Sequence, residues 1–164
     1  MKPLQIIWQS KPFALAQLQE VAASLAVEIE NHLVQNGLAS SNPRGVIAMQ
    51  AVMGAGKTTL VQALCRHWKF ADDAVSPTFG LVQCYARDGW KIYHHDLYRL
   101  TGEDEVWDLG LIEYWEEDAL NFVEWPERAP GLLPEDALLL QIEVLGNHND
   151  GERRIILSHR KEFK

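Results

Sequence analysis

Ala51-Val52-Met53-Gly54-Ala55-Gly56-Lys57-Thr58-Thr59 decides the reading of this chain. Ahead of it, Val46-Ile47-Ala48-Met49 reads as a short buried strand. Behind it, Leu60-Val61-Gln62-Ala63-Leu64-Cys65-Arg66-His67-Trp68 carries its apolar residues near a 3.6-residue period, as a helix does. Strand, glycine loop, helix is the context in which a phosphate-binding P-loop works. Gly54 and Gly56 have no Cβ, so the backbone can fold into a concave nest with its N–H groups turned towards phosphate oxygens. The following helix adds unpaired N–H groups and the positive end of its dipole. Lys57 is placed to reach the β- and γ-phosphates, and the Thr58 hydroxyl to hold Mg²⁺. The expected nucleotide-binding residues are therefore Gly54, Ala55, Gly56, Lys57, Thr58 and Thr59. The usual first glycine of the motif is Ala51 here, a mild variant.

The 164 residues suit one domain, 1–164, and are enough to bury a full core. Apolar residues at 47% and charged residues at 23% are ordinary for a globular chain. A net charge of -8 argues against a nonspecific nucleic-acid binder, so no DNA partner is expected. Cys65 and Cys84 stand far apart with no Cys-x-x-Cys, which fits a reducing compartment and offers no zinc site. No apolar run approaches a membrane span, and Met1-Lys2-Pro3 is not followed by a signal-peptide core. The expectation is a cytoplasmic protein without a membrane partner.

Leu4–Trp8 reads as an edge strand. Leu15, Leu18, Ala22, Leu25, Ile29 and Leu33 recur at three- and four-residue spacing and predict an amphipathic helix over Phe13–Gln35, stopped by Gly37. Ser40-Ser41-Asn42-Pro43 is a loop, and Asp72-Asp73 closes the P-loop unit. In Val75-Ser76-Pro77-Thr78-Phe79 the proline stiffens a loop and presents Thr78, either as plain loop or as a switch threonine reaching the γ-phosphate. Leu81–Ala86 and Trp90–His95 form a hairpin about Asp88-Gly89.

The second hairpin strand runs into Asp96, which suits a Walker B aspartate, although Ile92-Tyr93-His94-His95 is less apolar than such strands usually are. His94 and His95 point to opposite faces and cannot share one ion, so they read as structural. Thr101 is placed to cap a short helix ending near Gly110. Glu103–Asp118 holds eight acidic residues and no basic ones, a solvated face or a docking surface, with Trp107, Tyr114 and Trp115 as core or interface anchors. Leu120-Asn121-Phe122-Val123 is a second strand ending in a carboxylate, Glu124. Ligands in open α/β sheets sit beyond strand C-termini, so Asp96 and Glu124 can converge on the P-loop, although Glu124 could equally be a surface residue. Ala137–Leu145 and Arg153–Arg160 alternate as two strands about Gly146–Gly151, and the chain ends in the basic Arg160, Lys161 and Lys164.

Taken together, Gly54–Thr59, Ser76-Pro77-Thr78-Phe79, His94-His95-Asp96-Leu97-Tyr98-Arg99-Leu100 and Glu124-Trp125-Pro126 closely resemble the TsaE family, formerly YjeE. The resemblance covers nearly the whole chain and rests on the order and spacing of four motifs. It implies a single-domain P-loop NTPase fold of α/β class, with a mixed parallel and antiparallel sheet flanked by helices. It implies Mg²⁺-dependent ATP hydrolysis, slow without partners, in making tRNA N6-threonylcarbamoyladenosine (t6A37). The implied partners are TsaD and TsaB, which transfer the group, with tRNA reached only through that complex. By resemblance Lys57 and the Gly54–Thr59 backbone bind phosphates, and Thr58 and Glu124 are the Mg²⁺ ligands. Asp96 is the Walker B aspartate and Thr78 the switch threonine, so Asp96, Lys57 and Thr78 form the catalytic set. Lys11, near the end of the first strand, and Arg153, in the last hairpin, fall in regions loosely similar to the family's other nucleotide contacts. Where the family has Gly-Asp-Leu before the loop, this chain has Ala51-Val52-Met53, and losing the aspartate changes how the loop is braced.

Other P-loop functions fit less well. A small-molecule or nucleoside kinase usually carries a lid of arginines, and Arg99 is the only arginine between Arg87 and Arg128. A GTP-dependent switch normally reads guanine with Asn-Lys-x-Asp, which does not occur. A scaffold with vestigial hydrolysis sits poorly with the retained pair Asp96 and Glu124.

Overall fold

The computed structural model describes residues 4–35, 42–71, 75–78, 80–146 and 151–159; at 34, 35 and 75–78 it describes the backbone alone. Gly37, Ser40-Ser41, Asp72-Asp73, Phe79 and the basic cluster Arg160, Lys161 and Lys164 lie outside the described residues.

The strands are β1 (Ile6–Gln9), β2 (Gly45–Gln50), β3 (Val75–Thr78), β4 (Val82–Arg87), β5 (Trp90–Asp96), β6 (Leu120–Glu124), β7 (Leu138–Leu145) and β8 (Glu152–His159). The helices are α1 (Leu18–Gln35), α2 (Lys57–His67), α3 (Glu103–Asp108) and α4 (Leu111–Glu116). Among the described residues the strands make one eight-stranded sheet in the order β1-β8-β7-β2-β6-β5-β4-β3. Its centre is parallel, β2 pairing with β6 and β7, and β6 with β5. The outer pairs are antiparallel. The fold is thus the expected mixed α/β sheet.

Period-2 alternation builds two cores. Along β2, Ile47 and Met49 pack with α1 and α2, while Val46 and Ala48 pack with α3, α4 and Trp115. Every residue of β6 is buried, as a central strand covered on both faces must be. The α1 stripe is buried at Leu18, Ala22, Leu25, Ile29 and Leu33. Leu15 departs from it: the helix starts as a 3₁₀ turn over Leu15–Gln17, which rotates Leu15 out of the stripe and leaves it 52% exposed.

The Asp88-Gly89 hairpin forms as expected, with positive φ at both residues (49° and 80°), the geometry whose twist matches that of the flanking strands. Residues 75–78 depart from the loop reading. They form edge strand β3, irregularly paired to β4, and an edge is where a sheet accepts proline. Thr101 also departs from its reading. Gly102 holds the N-cap position, and the Thr101 N–H and Oγ1 both donate to Glu105 Oε2, at 2.8 and 3.0 Å.

Candidate functional site

The loop between β2 and α2 turns on glycine. Gly54 and Gly56 sit at φ 78° and 107°, where a side chain is strained by its own backbone even though nothing else crowds a Cβ there. Gly56 is the N-cap of α2, so the first turn of that helix points its free N–H groups into the loop's concavity. A cleft of about 340 Å³ opens there, lined by Met53 to Thr59, Asp96, Tyr98, Glu124 and Trp125.

Lys57 is buried, and its Nζ donates to Ala51 O at 2.9 Å. The ammonium also lies 4.3 Å from the centre of the Trp125 ring. Burial is the largest influence on this amine and pushes its pKa below the usual lysine value, against the charges of Glu124, Glu127 and Asp96, which hold it up. The Lys57 bond to Ala51 O ties the side chain back across the loop and braces it. A second brace is Arg153 on β8, whose Nε donates to Ala55 O at 3.5 Å.

Glu124 ends β6 and is only 4% exposed. Its Oε1 accepts from Thr58 Oγ1 at 2.9 Å and from His94 Nε2 at 2.7 Å. Burial pushes its pKa up, but the His94 bond and charge, the Thr58 bond and Lys57 together outweigh that, and the carboxyl titrates below the usual range. Asp96 stands directly opposite Glu124 in the parallel β5–β6 register, exposed at the rim, with Oδ1 accepting the Tyr98 N–H at 3.0 Å. His94, Asp96 and Glu124 share the sheet face towards α2. His95 turns the other way, bonding Asn121 Oδ1 at 2.8 Å, and burial pushes its pKa down to about 4.

The structure therefore brings Gly54–Thr59, Asp96 and Glu124 together, as expected. Thr58 Oγ1 and the Glu124 and Asp96 carboxylates are hard oxygen donors beside a phosphate cradle. Mg²⁺ takes one or two carboxylates and fills the rest of its shell with phosphate and water oxygens, so this donor set fits it. Among the described residues no cluster of three or more His, Cys, Asp or Glu forms a closed metal cage.

Other expected residues lie elsewhere. Arg153 sits behind the loop in a small apolar recess with Phe13, Leu60 and Ile155, and does not line the phosphate cleft. Lys11 is exposed, beyond the end of β1, and does not line it either. The backbone of Thr78 pairs with Val82, which pairs with His95, placing it one row back from Asp96 and about 10 Å across two strand spacings. Its side chain is not described.

Two site residues carry more than their sequence reading gave them. His94 read as structural, yet it bonds the Glu124 carboxylate; its two-residue spacing from Asp96, which puts both on one face, was the available signal. Trp125 adopts a left-handed backbone (φ 59°, ψ 51°) that turns the chain out of β6. Its ring then contacts both the Lys57 ammonium, at 4.3 Å, and the Tyr98 ring, at 5.0 Å between centroids.

The family profile described as "Threonylcarbamoyl adenosine biosynthesis protein TsaE" matches residues 14–155. The chain belongs to the TsaE family. Among relatives, the tRNA threonylcarbamoyladenosine biosynthesis protein TsaE of Haemophilus influenzae is 36% identical over 98 residues, 60% of this chain and 62% of that protein. TsaE of Rickettsia prowazekii is 30% identical over 126 residues, 74% of this chain and 81% of its own. TsaE of Synechocystis is 45% identical over 100 residues, 58% of this chain and 63% of that relative. The match thus spans less than two thirds of the Haemophilus and Synechocystis proteins. The crystal structure of YdiB from Bacillus subtilis shares the fold, with a TM-score of 0.64 and 21% identity over 97% of this chain and 88% of that one. Among the described residues no helix is long and apolar enough to cross a membrane.

Proposed function

We propose that this TsaE-family chain binds ATP with Mg²⁺ and hydrolyses it in the making of tRNA t6A37, acting on a TsaD–TsaB-like complex rather than transferring the group itself. The observation that carries this reading is the meeting of Lys57, Thr58, Asp96 and Glu124 on one cleft at the N-terminus of α2. The loop N–H groups and the Lys57 ammonium hold the triphosphate. When bound, Mg²⁺ would neutralise charge on the phosphate oxygens as the terminal bond breaks. Thr58 and Glu124 would hold it, and Asp96 supplies a further carboxylate at the rim. Lys57 currently donates to Ala51, so a γ-phosphate must draw it away from a carbonyl, an exchange that favours the more highly charged acceptor.

The cleft is open, and among the described residues no arginine lines it. Slow turnover alone and faster turnover with a partner follow, the partner bringing Thr78, at the end of edge strand β3, to the γ-phosphate. The acidic helices offer a docking face. Glu103, Glu105, Glu117 and Asp118 are engaged with Gly131, Thr101, Tyr93 and Arg44, whereas Asp104 and Asp108 flank Trp107, which is 66% exposed. The test is reconstitution with tRNA, threonine, bicarbonate, ATP and a TsaD–TsaB complex, with and without this chain. Sustained t6A formation should require the chain and an intact Lys57. Equal t6A yield without it, or a turnover rate flat across saturating bound partner, would overturn the reading.

A further inference from the structure

We infer that His94 is a positioning residue for the metal ligand Glu124: its Nε2–H fixes one carboxylate oxygen so that the other is presented to the cation that enters with the nucleotide. The inference rests on the Mg²⁺–ATP reading of the cleft. His94 Nε2 lies 2.7 Å from Glu124 Oε1, and a carboxylate oxygen only accepts, so the histidine donates. Thr58 Oγ1 donates to the same oxygen, off the first turn of α2. Among the described residues Glu124 Oε2 receives no hydrogen bond. Two donors from separate elements, β5 and α2, thus pin Oε1 and stop the carboxylate from rotating, and a hard oxygen is left for a ligand.

The bond is not needed to hold the strands together. Five residue pairs from Ile92–Leu120 to Asp96–Glu124 already fix the β5–β6 register. Nor is it a cheap way to fill the core. His94 and Glu124 are 5% and 4% exposed, His94 Nδ1 is buried without a partner among the described residues, and apolar side chains would fill the same space without desolvating polar atoms. What the pair does supply is a carboxylate with one orientation. Partners that orient a metal ligand in this way are typically worth a factor of ~10–100 in metal affinity.

The full-length chain carrying His94→Leu, His94→Asn or His94→Gln is titrated with ATP by calorimetry, in EDTA and across a Mg²⁺ series, after circular dichroism has confirmed folding. A glutamine amide reaches where imidazole Nε2 stands, whereas an asparagine amide reaches only to Nδ1. His94→Leu and His94→Asn should raise the Mg²⁺ needed for half-maximal tightening about tenfold and leave ATP affinity in EDTA within about twofold. His94→Gln should bring the Mg²⁺ requirement back to within about threefold of wild type. If His94→Leu does not fold, the comparison of Asn with Gln decides, since both are polar amides that differ in reach. Equal Mg²⁺ dependence in wild type and His94→Asn overturns the role of His94, as does a Gln variant no better than Asn. Wild-type ATP binding that ignores Mg²⁺ would instead overturn the metal–nucleotide reading, and the positioning role with it.

Discussion

The hydroxyl of Thr58 donates to the carboxylate of Glu124 at 2.9 Å, although 66 residues separate them. One group opens the helix behind the P-loop and the other closes a strand next to it. Removing the Glu124 carboxylate should therefore act on metal and fold together. Glu124→Ala should cut Mg²⁺-dependent hydrolysis by about a hundredfold or more, as expected for loss of a group that stabilises transition-state charge, with little change in Mg²⁺-free ATP binding. It also leaves His94 Nε2 buried without an acceptor, at a cost of about 1–3 kcal/mol. Single-turnover hydrolysis and urea unfolding measure the two effects, and an unaltered Mg²⁺ titration of activity would count against the assignment.

Lys57→Ala removes the one side-chain cation that lines the cleft among the described residues. A charge-assisted bond of about 1.5–3 kcal/mol corresponds to a loss of roughly ten- to a hundredfold in ATP affinity, with hydrolysis abolished. Calorimetry and a single-turnover assay on the folded variant check this.

His95 links stability to pH. Its folded-state pKa is depressed to about 4, with burial the main cause. The unfolded chain therefore takes up a proton near the ordinary histidine value of 6.5 that the folded chain resists, so stability is complete above that value and falls as pH drops towards 4. Burial and His159 lower the pKa of His32 too, which adds in the same direction. Urea unfolding between pH 7.5 and 4.5 should show this loss, on the order of a few kcal/mol for His95. His95→Gln should be less stable at pH 7.5 and have a flatter profile. A wild-type profile flat over that window would contradict the buried, neutral His95.

On the acidic face, Asp104→Lys with Asp108→Lys should weaken docking of a TsaD–TsaB-like complex several-fold, and the effect should fade as salt screens it. The basal ATPase rate should not change, because neither residue lines the cleft. Binding at low and high ionic strength together with basal turnover tests this; a fall in basal rate would assign the face to the ATPase core.

The sequence by itself determined the phosphate loop, because its chemistry is local. Glycines at positive φ, a lysine and a threonine at fixed offsets, and a helix behind them all lie within a few residues, and their order alone specifies the nest. It also determined the Asp88-Gly89 hairpin and the α1 stripe from Leu18 onwards, since turn geometry and side-chain period are properties of short segments. The order and spacing of four motifs were enough to place the chain in its family. Only the tertiary structure decided that Glu124 is buried rather than on the surface, that Thr58 and His94 share its Oε1, and that Arg153 stands behind the loop, bonded to Ala55. These are meetings between α2, β5, β6 and β8, and they depend on strand order and register. A one-residue slip in either strand would turn His94 or Glu124 to the opposite face. The edge-strand state of residues 75–78 was likewise decided by the sheet: proline removes a donor everywhere, but an edge leaves a row of donors unpaired in any case.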